Sequence, residues 1–229
     1  GYRSPTDMGV NCIADGIVDD AAVQAAARDE IVRRFFQYEA EFHLGKIPES
    51  TVQRALELVQ KAGLKTTDRA VVAAARQEAV ACEQKRKGDG GIYCGAAIRL
   101  PDGTIVTGKN SSLMHSAVAM ILNAAKHLAG IPERQHLLMP DILESVANFK
   151  HGLGTSQRVG LNLSEAMTVL VVSAARDVYA KAALEVLPML NHCDVHLSHM
   201  PGHGDEVGLR HLGCSYTYDP IPPTRKLFP

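Results

Sequence analysis

Residues Asp102–Ala117 read DGTIVTGKNSSLMHSA. Gly103 to Lys109 fits G-x-x-x-x-G-K, the frame of a phosphate-cradling loop, and a hairpin running into a helix at His115 has the layout of the zinc nucleobase deaminases. Both templates fail on chemistry. A phosphate loop curls its amides around the anion, but Thr104, Ile105, Val106 and Thr107 are all β-branched and favour extended backbone. Their N–H groups are expected to be spent in a hairpin ladder. Asn110 stands where the magnesium-binding hydroxyl belongs, and Ser111 comes one residue late. The deaminases need H-x-E and a later P-C-x-x-C. Position 117 is Ala, and the chain has no C-x-x-C. The stretch therefore predicts a plain hairpin: strands at Ile92–Leu100 and Thr104–Thr107 around the turn Pro101-Asp102-Gly103, then a helix capped by Ser111 or Ser112. Lys109 and Ser111 stay candidates to meet an anion at the start of that helix, where free amides point outward.

Working outward, the preceding third of the chain is helical in pattern. Asp19 or Asp20 caps a helix whose stripe is Val23, Ala27, Ile31, Phe35, Tyr38 and Phe42, ended by Gly45. Pro48 and Glu49 open a second helix, with Val52, Leu56 and Val59 on its buried face, and Thr66 or Thr67 caps an Ala-rich third. The run KRKGDGG (Lys85–Gly91) is the expected domain break. Beyond the hairpin come a helix over Pro140–Lys150, a glycine-rich loop over His151–Asn162, and a long helical stretch from a Ser164 cap to Leu190, broken near Arg176-Asp177. A strand at Asp194–His199, a helix at Asp205–Leu212 and a strand at Ser215–Tyr218 form a βαβ unit with parallel strands. The expected fold is mixed α/β: a helical segment over 1–87, an α/β domain over 92–219 with a small mixed sheet flanked by helices, and a proline-rich tail over 220–229.

Composition bounds the function. A net charge of −1 without a basic run argues against nucleic acid as a partner. No apolar run approaches the length of about 18 residues that a membrane helix needs, so no membrane partner is expected. The five cysteines form no disulfide framework, which points to a reducing cytoplasm. The histidines His192, His196, His199, His203 and His211 crowd one region. Of these, His199 and His203 flank Pro201-Gly202 at the carboxyl end of a strand, where α/β proteins place ligand sites. With Asp205 they form a candidate metal set.

SPTDMGVN (Ser4–Asn11) and LPDGTIVTGKNS (Leu100–Ser111), supported by EIVRRFF (Glu30–Phe36), LGTSQ (Leu153–Gln157) and LRHLGCSYTYDP (Leu209–Pro220), resemble the domain of unknown function 1846 family, also called uncharacterised protein family 0371. The likeness runs along essentially the whole chain and corresponds to the C-terminal half of such a protein. The family has no established reaction, and no cofactor is named by the sequence. The resemblance implies that an N-terminal half, absent here, carries a nucleotide-phosphate loop and is the partner of this half. Thr6, Asp7, Asn11 and Lys109, with Ser111, would then supply contacts from the second side. Two functions are expected in competition. One is an accessory and assembly domain without a complete active site, forming homo-oligomers. The alternative is a half-site that completes a nucleotide-dependent enzyme.

Overall fold

A computed structural model describes residues 19–152 and 160–222. The chain divides into two compact units, Gly1–Arg69 and Ala70–Pro229. In the first, α1 (Asp20–His43) packs against α2 (Glu49–Lys61), and a 3-10 turn follows at Thr66–Asp68. Asp19 caps α1, its side chain accepting from Ala22 N at 2.9 Å. The buried residues of α1 are Val32, Phe35, Phe36 and Ala40. Of the expected stripe only Phe35 is among them; the stripe sat one residue off because Phe36 shares the inner face with Phe35. In α2 the buried set is Val52, Ala55 and Val59.

The second unit begins with α3 (Ala70–Gln84), so the Lys85–Gly91 break lies inside it. Thr66 and Thr67 sit in the 3-10 turn and do not cap this helix. Four strands follow: β1 (Gly95–Arg99), β2 (Ile105–Lys109), β3 (Asp194–Leu197) and β4 (Ser215–Tyr218), in the order β2-β1-β3-β4. β1 is antiparallel to both neighbours, and β3 is parallel to β4. Three strands therefore point the same way, and the carboxyl ends of β2, β3 and β4 share one edge. The mixed α/β class and the closing βαβ unit, with α8 (His203–His211) as its crossover, are as the sequence predicts.

Alternation divides the sheet into two faces. Ala96, Ile98, Val195 and Leu197 face the main core, which α4 (Ser116–Leu128), α6 (Leu163–Ala174) and α7 (Val178–Val186) complete with Met120, Ile121, Leu170 and Ala180. On the opposite face Ala97 meets Val71 and Ala75 of α3. α5 (Pro140–Gly152) has no buried residue. The helix caps differ from expectation by a few residues. α6 is capped by Asn162, in a reciprocal box with Glu165, rather than by Ser164; α7 is capped by Asp177. The N-cap position of α4 is His115, four residues beyond Ser111, and its side chain makes no capping bond.

The hairpin pairs Arg99 with Ile105, Ile98 with Val106 and Ala97 with Thr107, which rules out a phosphate loop at Thr104–Thr107. Of the four amides only that of Val106 faces the ladder, and Thr104 N donates to Asp102 Oδ1 at 2.9 Å instead. β2 is an edge strand, and the Leu100 N to Thr104 O bond sets an alternation in which Ile105 and Thr107 direct their polar groups away from β1. The Thr107 carbonyl accepts instead from Asn123 Nδ2 at 2.9 Å. Gly108 has a packing role: a Cβ there would lie 2.1 Å from Met120 N, so its absence lets α4 lie directly on β2. We expect Gly108→Ala to lower stability by about 2 kcal/mol or more, because the clash is with backbone. Gly152→Ala, where a Cβ meets nothing within 4 Å, should stay within about 0.5 kcal/mol of the parent. Urea unfolding of the two variants checks the contrast; equal midpoints would refute it.

Candidate functional site

Three connections leave the shared carboxyl edge. β2 runs through Asn110 to His115 and α4, β3 through Ser198 and His199 to α8, and β4 ends at Asp219. Asn110 is buried and shapes the first of them, accepting from Cys94 N at 2.8 Å and donating to Ile92 O at 2.9 Å. The backbone of His115 is pinned by its N–H donating to Leu161 O at 3.0 Å, while Leu161 N donates to Leu113 O at 2.9 Å. These bonds place the start of α4 beside the start of α6. α8 brings Asp205 to the same place in its first turn.

His115 Nδ1 lies 2.7 Å from Asp205 Oδ2. The other carboxylate oxygen, Oδ1, accepts from Leu163 N, the first amide of α6, at 2.8 Å. The Asp205 side chain is 1% exposed and that of His115 44%. An ionised carboxylate only accepts, so Nδ1 carries the proton and Nε2 is the free nitrogen of the neutral ring. Among the described residues nothing bonds to Nε2. Burial pulls the pKa of His115 down, but the Asp205 hydrogen bond and charge outweigh it, and the net shift is upward. Lys150 and Glu165 flank the ring electrostatically and pair with each other at 2.7 Å. This is the geometry of an oriented acid–base imidazole.

A second cluster lies on the α3 face. His196 Nδ1 and Thr217 Oγ1 are 2.9 Å apart, His196 Nε2 is 3.5 Å from Asp219 Oδ1, and Arg76 grips Asp219 through Nε at 2.9 Å and Nη2 at 2.6 Å. Burial would raise the pKa of Asp219, but Arg76 and His196 overcome it and hold the carboxyl at about 2. His199 is felt by both clusters. Burial pushes it down to about 4 against the pull of Asp205, with Asp219, His115 and His196 also acting on it. Its Nδ1 is buried without a hydrogen-bond partner. Burial raises the thiols of Cys82 and Cys193, and that of Cys214 to about 12, so these three are not poised for attack.

The residues expected from sequence fare unevenly. Thr6, Asp7 and Asn11 lie outside the described residues. Lys109 is on β2 with its Nζ 3.6 Å from Glu78 Oε1. Ser111 Oγ accepts from Leu113 N and Met114 N at 3.3 Å, closing a turn ahead of the helix instead of capping it. The candidate metal set His199, His203 and Asp205 lies at the start of α8. Among the described residues no three His, Cys, Asp or Glu side chains stand where they could hold an ion. Asp205 is committed to His115 and Leu163, and His203 is exposed at the start of α8. His115 was visible in sequence only as a failed zinc ligand; its partner is 90 residues away. A cleft of about 700 Å³ beside the β2 edge, lined by Thr107, Asn123, Lys126, His127 and Glu133 among others, contains none of the dyad residues.

Residues 67–228 match the model of the C-terminal domain of unknown function DUF1846, and residues 1–63 match the model of its N-terminal domain. The chain belongs to the DUF1846 family. The expectation that it holds only a C-terminal half is thereby corrected, since the first 63 residues match the N-terminal model. No separate N-terminal partner follows from the match. The DUF1846 boundary falls within a few residues of the division at Arg69–Ala70. The chain is similar to a UPF0371 protein of Clostridium botulinum strain Alaska E43, 40% identical over 228 residues, which are 99% of this chain and 45% of the relative. A UPF0371 protein of Corynebacterium aurimucosum is 41% identical over 220 residues, 96% of this chain and 42% of the relative. One from Clostridioides difficile strain 630 is 37% identical over 228 residues, 99% and 45% of the two chains. The chain thus spans a little under half the length of these DUF1846 relatives. Among its described residues no helix is long and apolar enough to cross a membrane.

The pKa of His199 sets an acid limit on stability. Its folded value, about 4, lies below the ordinary 6.5, so the unfolded chain takes the proton first. Stability is full above pH 6.5, falls as the pH drops from 6.5 to 4, and levels off below, with a total loss of about 3 kcal/mol. His199→Gln should remove this component from the difference between pH 7 and pH 4 unfolding curves. An unchanged difference would refute it.

Proposed function

We propose that this chain supplies an acid–base half-site, the His115–Asp205 dyad, to a reaction whose remaining groups lie elsewhere in a longer DUF1846 polypeptide. The observation that supports it is the 2.7 Å bond from a half-exposed imidazole to a carboxylate that is 1% exposed. A buried Asp fixes the tautomer and orientation of the ring and stabilises its protonated form, leaving Nε2 to accept a proton from substrate or water and return it. The raised pKa suits this duty near neutral pH. Among the described residues no hydroxyl or thiol hydrogen-bonds to Nε2, which supports a half-site rather than a whole one. In this reading the contacts expected of Lys109 are secondary, because Glu78 already engages that side chain. The nucleotide expected from the family resemblance would approach from the longer polypeptide. A reducing cytoplasm suits the free thiols of Cys82, Cys94, Cys193 and Cys214.

The assembly reading has its own support in exposed apolar side chains on α6, α7 and the turn after them: Val171 at 54%, Val178 at 76% and Met189 at 50% exposure. The partner it implies is a second copy, and light scattering of a Val178→Lys variant against the parent tests it.

The dyad is tested in the complete polypeptide by following turnover of a metabolite extract by mass spectrometry. His115→Gln is expected to lower turnover by about 100-fold or more, and, because it takes a donor from the buried Asp205, to lower the melting temperature by a few degrees only. Equal losses of turnover and stability would favour assembly over catalysis. In the chain itself, Asp205→Asn should lower the pKa of His115 seen by NMR, since the partner charge that raises it is gone; no movement would overturn the pairing.

A further inference from the structure

The first turn of α4 is a set of donors with nothing to donate to. An α-helix leaves its first amides without an internal acceptor. His115 offers no side-chain cap, and no loop carbonyl among the described residues accepts from the N–H groups of Ser116, Ala117 or Val118. These residues are at most 1% exposed, so bulk water does not serve them either. A separate observation points the same way. Ser116 Oγ is fully buried and has no hydrogen-bond partner among the described residues. Side chains on a helix lean toward its N-terminus, which puts this hydroxyl with the orphan amides. His199 Nδ1, at the same sheet edge, is a further buried atom without a partner. Buried polar groups are nearly always satisfied, and a cluster of donors that is not calls for an acceptor, an ion among the candidates.

The chemistry of the cluster selects the ligand. Three amides and a hydroxyl at a helix N-terminus present partial positive charge and call for an acceptor. The neighbouring carboxylates do not answer it. Asp205 is bonded to His115 and Leu163, and Glu165 to Lys150, Asn162 N and the capping box of α6. We propose that the N-terminus of α4 binds an oxyanion, the phosphate or carboxylate group of a small substrate, on the amides of Ser116, Ala117 and Val118 and the hydroxyl of Ser116. The anionic group then lies next to the imidazole of His115, whose half-exposed ring is the way in. Calling the ligand a substrate rests on the dyad reading; the anion site itself does not.

The test uses the 229-residue chain, titrated with sodium phosphate or sodium acetate against sodium chloride at matched ionic strength. Melting temperature and the NMR signals of Ser116, Ala117 and His115 are followed. A saturable rise in Tm with moved signals is expected for one of the two anions and not for chloride; phosphate or acetate as the tighter ligand tells the substrate class. Ser116→Ala deletes an unpaired buried hydroxyl, so it should fold as stably as the parent while binding the anion roughly tenfold more weakly or worse. Ser116→Asp lays a carboxylate on the same donors and should abolish binding. No saturable effect of either anion, or a Ser116→Ala variant that binds as the parent does, overturns the site. Anion binding that survives alongside full turnover in His115→Gln would sink the dyad and leave the anion site standing.

Discussion

A carboxylate at 1% exposure survives in a protein only if other groups replace the water it has lost, and Asp205 meets that demand from two helices at once. One oxygen takes the proton-bearing nitrogen of His115 at the start of α4; the other takes the first amide of α6. Asp205 itself belongs to the first turn of α8, so a single side chain ties three helix N-termini together. Each terminus contributes partial positive charge, which is the surrounding in which a buried anion costs least. The contact that stabilises the edge also fixes the orientation of the His115 ring, and among the described residues nothing bonds to its outer nitrogen.

Such short distances depend on missing side chains. A Cβ on Gly204 would lie 2.4 Å from the Asn162 side chain, and one on Gly208 would lie 2.5 Å from Leu163. One turn apart on α8, the two glycines let that helix close on the start of α6 until Asp205 reaches Leu163 N. Gly95 does the same for α3, where a Cβ would meet Ala75 O at 2.2 Å, and Gly108 for α4. A core with no Trp and few aromatic residues is held by backbones in close approach, not by large side chains spanning gaps.

The two polar clusters divide the work electrostatically. On the α3 face, Arg76 holds Asp219 ionised far into acid, and His196 is bracketed by Asp219 and Thr217. On the α4 face, burial pulls the pKa of the half-exposed His115 down, and Asp205, with a smaller pull from Glu165, turns the net shift upward. His199 stands between them as a neutral ring. Burial and paired charge thus push the groups of one sheet edge in opposite directions, His199 and Asp219 down and His115 up.

Local physics was legible in the residues. β-branched side chains at Thr104–Thr107 required an extended strand, which excluded the phosphate loop, and Pro101-Asp102-Gly103 marked the turn. The closing βαβ unit followed from period and turn signals. Helix starts were missed by a few residues because Ser111 spends its hydroxyl on a turn of its own. The metal set at His199, His203 and Asp205 was read from neighbours in sequence; in the fold α8 begins at His203, which is exposed, while Asp205 is buried. What only the tertiary structure decided is which histidine meets Asp205. Strand and turn preferences act within a few residues, whereas the pairing with His115 spans 90 and is set by sheet order and by glycines that control how closely three helices approach.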